Sequence, residues 1–307
     1  MRNFGAEGDP FVKNGRLLSL SFQLNILLSR ADRTMMSHMA AVPETIEGSG
    51  SAALQRGVAK QPALHPTSRF LVKNAILARI SLQDLVAMGE FLEPIVLRER
   101  MVLQEPKTNV DYVYFVESGL VSLRIVAAGS ILETAVIGNQ GAVGLSFLAG
   151  GHISTHQSVV LSRGSAHRIR VEDLRRAISE RPETREHLFR YAQALNLHCA
   201  QTGFCGVRHD REKRLASWLC LASDALDAHV LPVTHDYLSS VLGLRRAGIT
   251  ETLIRFEEQR LIRKMRGVLQ IDQRKSLEQK ACSCYRIISD AYASLSESNS
   301  LGRQSVS

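Results

Sequence analysis

Residues 233–261, VTHDYLSSVLGLRRAGITETLIRFEEQRL, decide the fold, because they spell two short helices joined at a fixed angle. Leu238, Val241 and Leu242 give the first helix an apolar edge, and Gly243 follows them where a positive φ ends a helix at least cost. Leu244 fills the corner. Ile249, Leu253 and Phe256, with Thr252 beside them, then recur at spacings of three and four in a second helix. The pattern predicts a helix-turn-helix. Its second helix turns Arg245, Arg246, Thr250, Glu251 and Arg255 outward near its N-terminal end, where a helix lying in a major groove presents side chains to bases. Arginine suits guanine, and a carboxylate accepts from cytosine N4. Thr234 is placed to cap the first helix, to meet a phosphate, or to do both.

Residues 245–275 hold nine Lys or Arg against four Asp or Glu, an excess that suits a polyanion such as double-stranded DNA. Within them, residues 262–272, IRKMRGVLQID, read as two short strands around Arg266-Gly267. In such a wing Arg263, Lys264 and Arg266 reach phosphates beside the groove. Alone, GLRRAG also fits the turn of an ordinary helical hairpin with solvated arginines. The turn glycine, the apolar residues on both sides of it and the hairpin that follows favour the DNA-binding reading.

The chain of 307 residues is long enough for two domains, and its formal charge of +8 favours an acidic partner. Five cysteines, at 199, 205, 220, 282 and 284, include no C-x-x-C pair, so neither a disulfide framework nor a standard zinc knuckle is indicated. They read as buried, inert thiols in a reducing compartment, the cytoplasm, and neither a metal nor a cofactor is expected. Metal binding by Cys282 and Cys284, a Cys199 bridge between twin chains and haem on His198 or His209 stay open as alternatives. Residues 17–28, LLSLSFQLNILL, resemble a signal-peptide core but contain Gln23 and Asn25, lack a small-residue cleavage site, and at twelve residues cannot span a bilayer. No membrane partner is expected. Catalysis is disfavoured as well, since there is no G-x-S-x-G elbow, P-loop or H-E-x-x-H.

The rest of the chain divides in order. Residues 1–66 look disordered or weakly helical, and Met35, Met36 and Met39 allow an internal translation start. Residues 67–182 begin with short helices, Ser81 capping one of them. After Pro94 they change to alternating strands, IVLRER, MVLQEP, YVYFVES, GLVSLRIV, ILETAVIG, SVVLSRG and AHRIRV, with Gly119, Gly129, Gly138, Gly141, Gly144, Gly150, Gly151 and Gly164 at or near turns. Many short strands with spaced glycines predict a sandwich or closed β-roll. Pro182 opens a long helix over residues 183–209. There Leu188, Tyr191, Leu195, His198, Thr202 and Cys205 follow a coiled-coil spacing, read as a dimer interface. Residues 210–292 carry the helix-turn-helix, and 293–307 form a flexible tail.

This order of parts, with LGLRRAGITETLIRFEEQRLI and RKMRGVLQI, resembles the Crp/Fnr family of bacterial transcription regulators from about residue 70 to residue 292. The segments YFVESGLVSL, VIGNQGAVGLS and ACSCYRII are similar to one branch of it. The resemblance implies an α+β fold, in which a jelly-roll (double-stranded β-helix) domain of the cyclic-nucleotide-binding type is joined by a long dimerisation helix to a winged helix-turn-helix. It implies a homodimer on palindromic operator DNA under control of an effector, with RNA polymerase as a further partner of an activator. Arg246 and Glu251 fall where the family's base-reading residues lie, and Ala247 stands where many members have glutamate. The effector site, placed around Gly141, Gly144, His156 and Gln157, departs from cyclic-nucleotide binders. Gly144 is followed by Leu145 rather than glutamate, and no arginine occurs between Gly144 and Arg163. A buried phosphate without a cation is costly, so cyclic AMP is not expected. A solvated loop explains His156 and Gln157 equally well. The iron-sulfur cluster of oxygen-sensing members is not expected either, since no cysteine precedes Cys199. The alternative is a ligand- or partner-binding module of the same fold that does not bind DNA.

Overall fold

The computed structural model describes residues 72–297. The expected disorder and internal start over residues 1–66 lie outside them. Ser81 accepts a hydrogen bond from the Asp84 amide at 3.1 Å and so caps the first helix, α1 (Leu82–Gly89). The roll follows as β1 (Glu93–Leu97), β2 (Val102–Gln104), β3 (Tyr112–Ala127), β4 (Ser130–Ile137), β5 (Ala142–Val143) and β6 (Gln157–Arg170). They form one antiparallel sheet in which β6 pairs with β1, β2 and β3, while β3 pairs also with β4 and β5.

Four of the seven short strands expected from the sequence are two long ones. Gly119 and Gly164 do not make turns but lie inside β3 and β6, where the register shifts between Val116 and Val121. A Cβ on Gly164 would stand 2.0 Å from the Ser118 carbonyl oxygen, and one on Gly119 2.6 Å from that of Ser162. These glycines let two backbones approach at a bulge, so the chain bends without breaking its ladder. Gly129 behaves as expected: with Ala128 it supplies two positive φ angles in the β3–β4 turn.

Beyond the roll run α2 (Val171–Ser179) and α3 (Pro182–Arg208), whose first-turn proline needs no amide partner. Next come α4 (Arg211–Leu226), β7 (Val230–Leu231), α5 (His235–Leu242), α6 (Arg246–Glu258), β8 (Ile262–Met265), β9 (Val268–Ile271), α7 (Arg274–Lys280) and α8 (Ser283–Glu297). Strand β7 adds to the wing, giving the order β7-β9-β8. Among the described residues no helix is long and apolar enough to cross a membrane.

Two expectations change. The tail expected to be loose from residue 293 is helical to Glu297, and Leu295 is buried in the core that α3 shares with the roll. The coiled-coil positions also point inward. Leu188 and Tyr191 are fully buried in their own chain, the Tyr191 hydroxyl donating to the Ala142 carbonyl at 3.1 Å, and His198 meets the Tyr292 hydroxyl of α8 at 3.2 Å. Leu195 and Thr202 are half-buried, and Cys205 is buried. Helix α8 and the roll cover the stripe that the spacing offers to a second chain. The exposed stripe is rotated from it: Phe189, Gln193, Asn196, Ala200, Gly203 and Val207 recur at spacings of four and three.

The helix-turn-helix is held to the roll by a buried carboxylate. Glu133 on β4 accepts hydrogen bonds from Ser122 on β3, from the Trp218 indole on α4, and from the Tyr237 hydroxyl on α5 at 2.6 Å. Burial pushes its carboxyl up, against the three donors that pull it down. A carboxyl whose value is raised by folding keeps its proton longer in the native state, so its contribution to stability falls as pH rises through the window between the unfolded and folded values. In urea unfolding, Glu133→Gln is therefore expected to gain on the wild type as pH rises from about 4.3, the ordinary glutamate value. A stability gap that does not change with pH would exclude this.

Candidate nucleic-acid interface and ligand cavity

The turn between α5 and α6 closes as a Schellman motif. Gly243 has φ +59°, its amide donates to the Ser240 carbonyl at 3.3 Å, and the Leu244 amide donates to that of Ser239 at 2.9 Å. Leu238, Val241, Leu242, Ile249, Leu253 and Phe256 are all buried in one core with Trp218 and Leu269. Their burial fixes which side of α6 faces out. Arg246, Ala247, Glu251 and Ile254 are exposed on it, and Arg255 is half-buried at its edge. Thr250 turns back toward α5, its hydroxyl 3.1 Å from His235 Nδ1.

The Thr234 oxygen accepts from the Tyr237 amide at 3.2 Å and caps α5. Its hydroxyl proton remains free to donate, so the capping and phosphate readings are compatible. No side chain caps α6, which begins after Arg245 and has no acidic residue in its first turn. The positive end of the helix dipole is thus left without a side-chain cap or a first-turn carboxylate, a disposition that suits a phosphate.

Most candidate cations are paired within the chain. Arg246 meets Asp236 at 2.8 Å, Lys264 meets Glu257 at 2.7 Å, and Arg263 meets Asp272 at 3.3 Å. Glu251 lies 3.0 Å from Arg211 and 3.7 Å from Arg255, which also reaches Glu212. Solvent-exposed pairs of this kind are worth about 0–1 kcal/mol each, so phosphate or base oxygens can displace the acidic partners at small cost. Arg245 and Arg266 are exposed and, among the described residues, make no ion pair. The sequence reading missed Ile254, whose signal was its offset from the inward Ile249, Leu253 and Phe256. An exposed apolar side chain there suits a thymine methyl.

A second site lies between the roll and α3. A cavity of about 700 Å³ is walled by Leu123, Leu145, Leu148 and Leu195, with Gln104, Ser146, His156, Glu186 and Arg190 among its polar residues. Of the four residues expected at an effector site, Gly144 and His156 line it. Gly141 lies beneath the Tyr191 hydroxyl, 2.4 Å from where its Cβ would stand, so it serves the packing of α3. Gln157 hydrogen-bonds Glu105 at 3.0 Å instead of facing the cavity. Burial lowers His156, disfavouring its charged form. The Gln104 amide nitrogen is buried beside Gly144 without a partner, a donor that an acceptor in the cavity would satisfy. Arg190 of α3 also stands in the wall, 3.8 Å from Glu186.

The thiols divide into two kinds. Cys220 sits in the apolar core of the helix-turn-helix and Cys199 packs against that of the roll. Cys205, Cys282 and Cys284 instead gather around His209, all four donor atoms within 4.8 Å of one another.

Residues 213–280 match the family model of the Crp-like helix-turn-helix domain. Three solved structures share the fold. FixK2 from Bradyrhizobium japonicum is 15% identical at a TM-score of 0.55, over 62% of this chain and 98% of its own. A putative transcriptional regulator of the Crp/Fnr family from Eubacterium rectale is 16% identical at 0.53, over 68% and 98%. CLP, described as a c-di-GMP responsive global regulator in Xanthomonas campestris, is 16% identical at 0.52, over 62% and 99%. No curated protein matches the sequence.

The left-handed turn carries a stability prediction. Nothing lies within 4 Å of a Cβ built on Gly243, so Gly243→Ala meets no clash and pays only for its backbone conformation. The expected loss is about 1–2 kcal/mol in urea unfolding; an unchanged midpoint would show that the turn tolerates another geometry.

Proposed function

We infer that this chain, a DNA-binding transcription regulator of the Crp/Fnr type, binds palindromic operator DNA as a homodimer whose geometry is set by a small molecule in the cavity between roll and long helix. The reading rests on one observation. The outward face of α6 joins an uncapped, positively polarised N-terminus to Arg246, Glu251 and Ile254, and Lys264 and Arg266 extend the same chemistry on the wing. The face reads bases, and the wing and Thr234 hold phosphates. Two copies related by a twofold would place two such helices about one turn of DNA apart.

The dimer is built on the exposed stripe of α3. Ala200 and Gly203 allow close approach of two helices, flanked by Phe189 and Val207. The cavity lies behind the same helix, and Phe189, Gln193 and Asn196 belong to both. Its occupant is a partly apolar molecule with an acceptor for Gln104. A cyclic nucleotide fits poorly, since buried Leu145 occupies the position of the ribose-binding glutamate. The protein works in the cytoplasm, its thiols reduced, with RNA polymerase as a partner where it activates.

Operator fragments selected from genomic DNA test the reading by gel shift across a salt series. Arg246→Ala should cost about 1–3 kcal/mol at the preferred site and relax sequence choice. Lys264→Ala should weaken binding to all DNA and lower the salt slope by about one. Binding at wild-type strength by both variants would overturn the assignment. For the dimer, Ala200→Arg should shift the sedimenting species from dimer to monomer while far-UV circular dichroism is preserved; a dimer that persists would move the interface elsewhere.

A further inference from the structure

Three thiols and one imidazole meet at the joint between the long helix and the DNA-binding domain. Cys205 and His209 are four residues apart at the C-terminal end of α3, on one face of the last turn, where the His209 amide donates to the Cys205 carbonyl at 3.1 Å. Cys282 and Cys284 flank the start of α8, so the two pairs come from stretches over seventy residues apart. Cys205 Sγ lies 3.4 Å from Cys282 Sγ, and Cys284 Sγ lies 3.6 Å from His209 Nδ1.

The cysteines are free, and these distances exceed the about 2.05 Å between the sulfurs of a disulfide. They approach the edges of a tetrahedron around zinc, roughly 3.8 Å between sulfurs held at about 2.3 Å from the ion. Inert buried cysteines pack within an apolar core, as Cys220 does in that of the helix-turn-helix, where it also accepts from the Arg274 guanidinium at 3.1 Å. Cys205, Cys282 and Cys284 are buried yet form a cluster of their own, apart from the three apolar cores. A supporting hydrogen bond is also in place. The Cys282 amide donates to Ser217 Oγ at 3.0 Å, which leaves the Ser217 hydroxyl proton to point at Cys282 Sγ, 3.1 Å away. Donors of this kind hold and orient a thiolate ligand.

We propose that Cys205, His209, Cys282 and Cys284 bind one zinc ion, in a tetrahedral site with three thiolate ligands and one imidazole. Four protein ligands leave no position for water or substrate, so the ion is structural. Only His209 and Asp210 separate α3 from α4, and the ion would tie that joint to the first turn of α8. It would thereby fix the direction in which the helix-turn-helix leaves the long helix, and α8 would stay seated on α3.

The test is metal content of the full chain, purified under reducing conditions without added chelator. About one zinc per chain is expected. After the zinc is stripped by a chelator, Co²⁺ should restore one equivalent with the intense visible d–d bands of tetrahedral cobalt and a sulfur-to-cobalt charge-transfer band. Cys282→Ser and His209→Ala should each hold zinc at least about tenfold more weakly, while Cys199→Ser and Cys220→Ser retain it. A metal-free wild type without those cobalt bands would overturn the site, as would a Cys205–Cys282 disulfide found by mass spectrometry. Copper in place of zinc in the protein as purified would overturn the choice of ion. The wild-type cobalt titration decides even where a ligand variant fails to fold, and none of these readouts depends on DNA binding.

Discussion

A carboxylate taken out of water needs partners, and Glu133 finds them on three different elements. Ser122 comes from the roll, Trp218 from α4 and Tyr237 from the first helix of the helix-turn-helix. Each partner is itself buried or half-buried, so no water replaces one that moves away. The helices of the helix-turn-helix therefore cannot shift on the roll without leaving this carboxylate short of donors. Close packing repeats the restriction nearby, since a Cβ on Gly138 would collide with the Ala225 backbone at the end of α4, and the Asn139 amide donates to the Ala225 carbonyl at 3.3 Å. Polar satisfaction and packing thus define one seating of one domain on the other.

The long helix α3 serves as the common wall for everything else. Its inner side, Leu188, Tyr191 and His198, completes the core of the roll and receives α8. Its flank lines the cavity, its outer side carries the small-residue stripe, and its last turn supplies Cys205 and His209. The core, the cavity, the exposed stripe and the cysteine cluster thus share one continuous helix. Phe189 and Asn196 line the cavity and stand on the exposed stripe as well. In the proposed dimer, sensing and pairing would therefore be coupled through contact.

Local signals determined a good deal. Gly243 between two apolar edges, Ser81 and Pro182 at helix starts, and Arg266-Gly267 between alternating strands each dictate a conformation through backbone sterics or an amide that needs a partner. Such causes act within a few residues and are legible in order along the chain. The family resemblance rested in part on two of these segments, the Gly243 turn and the Arg266-Gly267 hairpin, and the match over residues 213–280 falls on both.

What the sequence could not settle was direction. Spacings of three and four along α3 fit two adjacent stripes, and only packing against the roll and against α8 from the far end of the chain decided that Leu188 and Tyr191 face inward. Gly119 and Gly164 looked like turn residues because a glycine serves a turn and a close backbone crossing alike. The gathering of Cys205, His209, Cys282 and Cys284 was hidden for the same reason: each pair is unremarkable alone, and the donor set exists only where folding brings the two together. Short-range stereochemistry was written in the chain, whereas which faces meet depended on long-range burial that no single segment encodes.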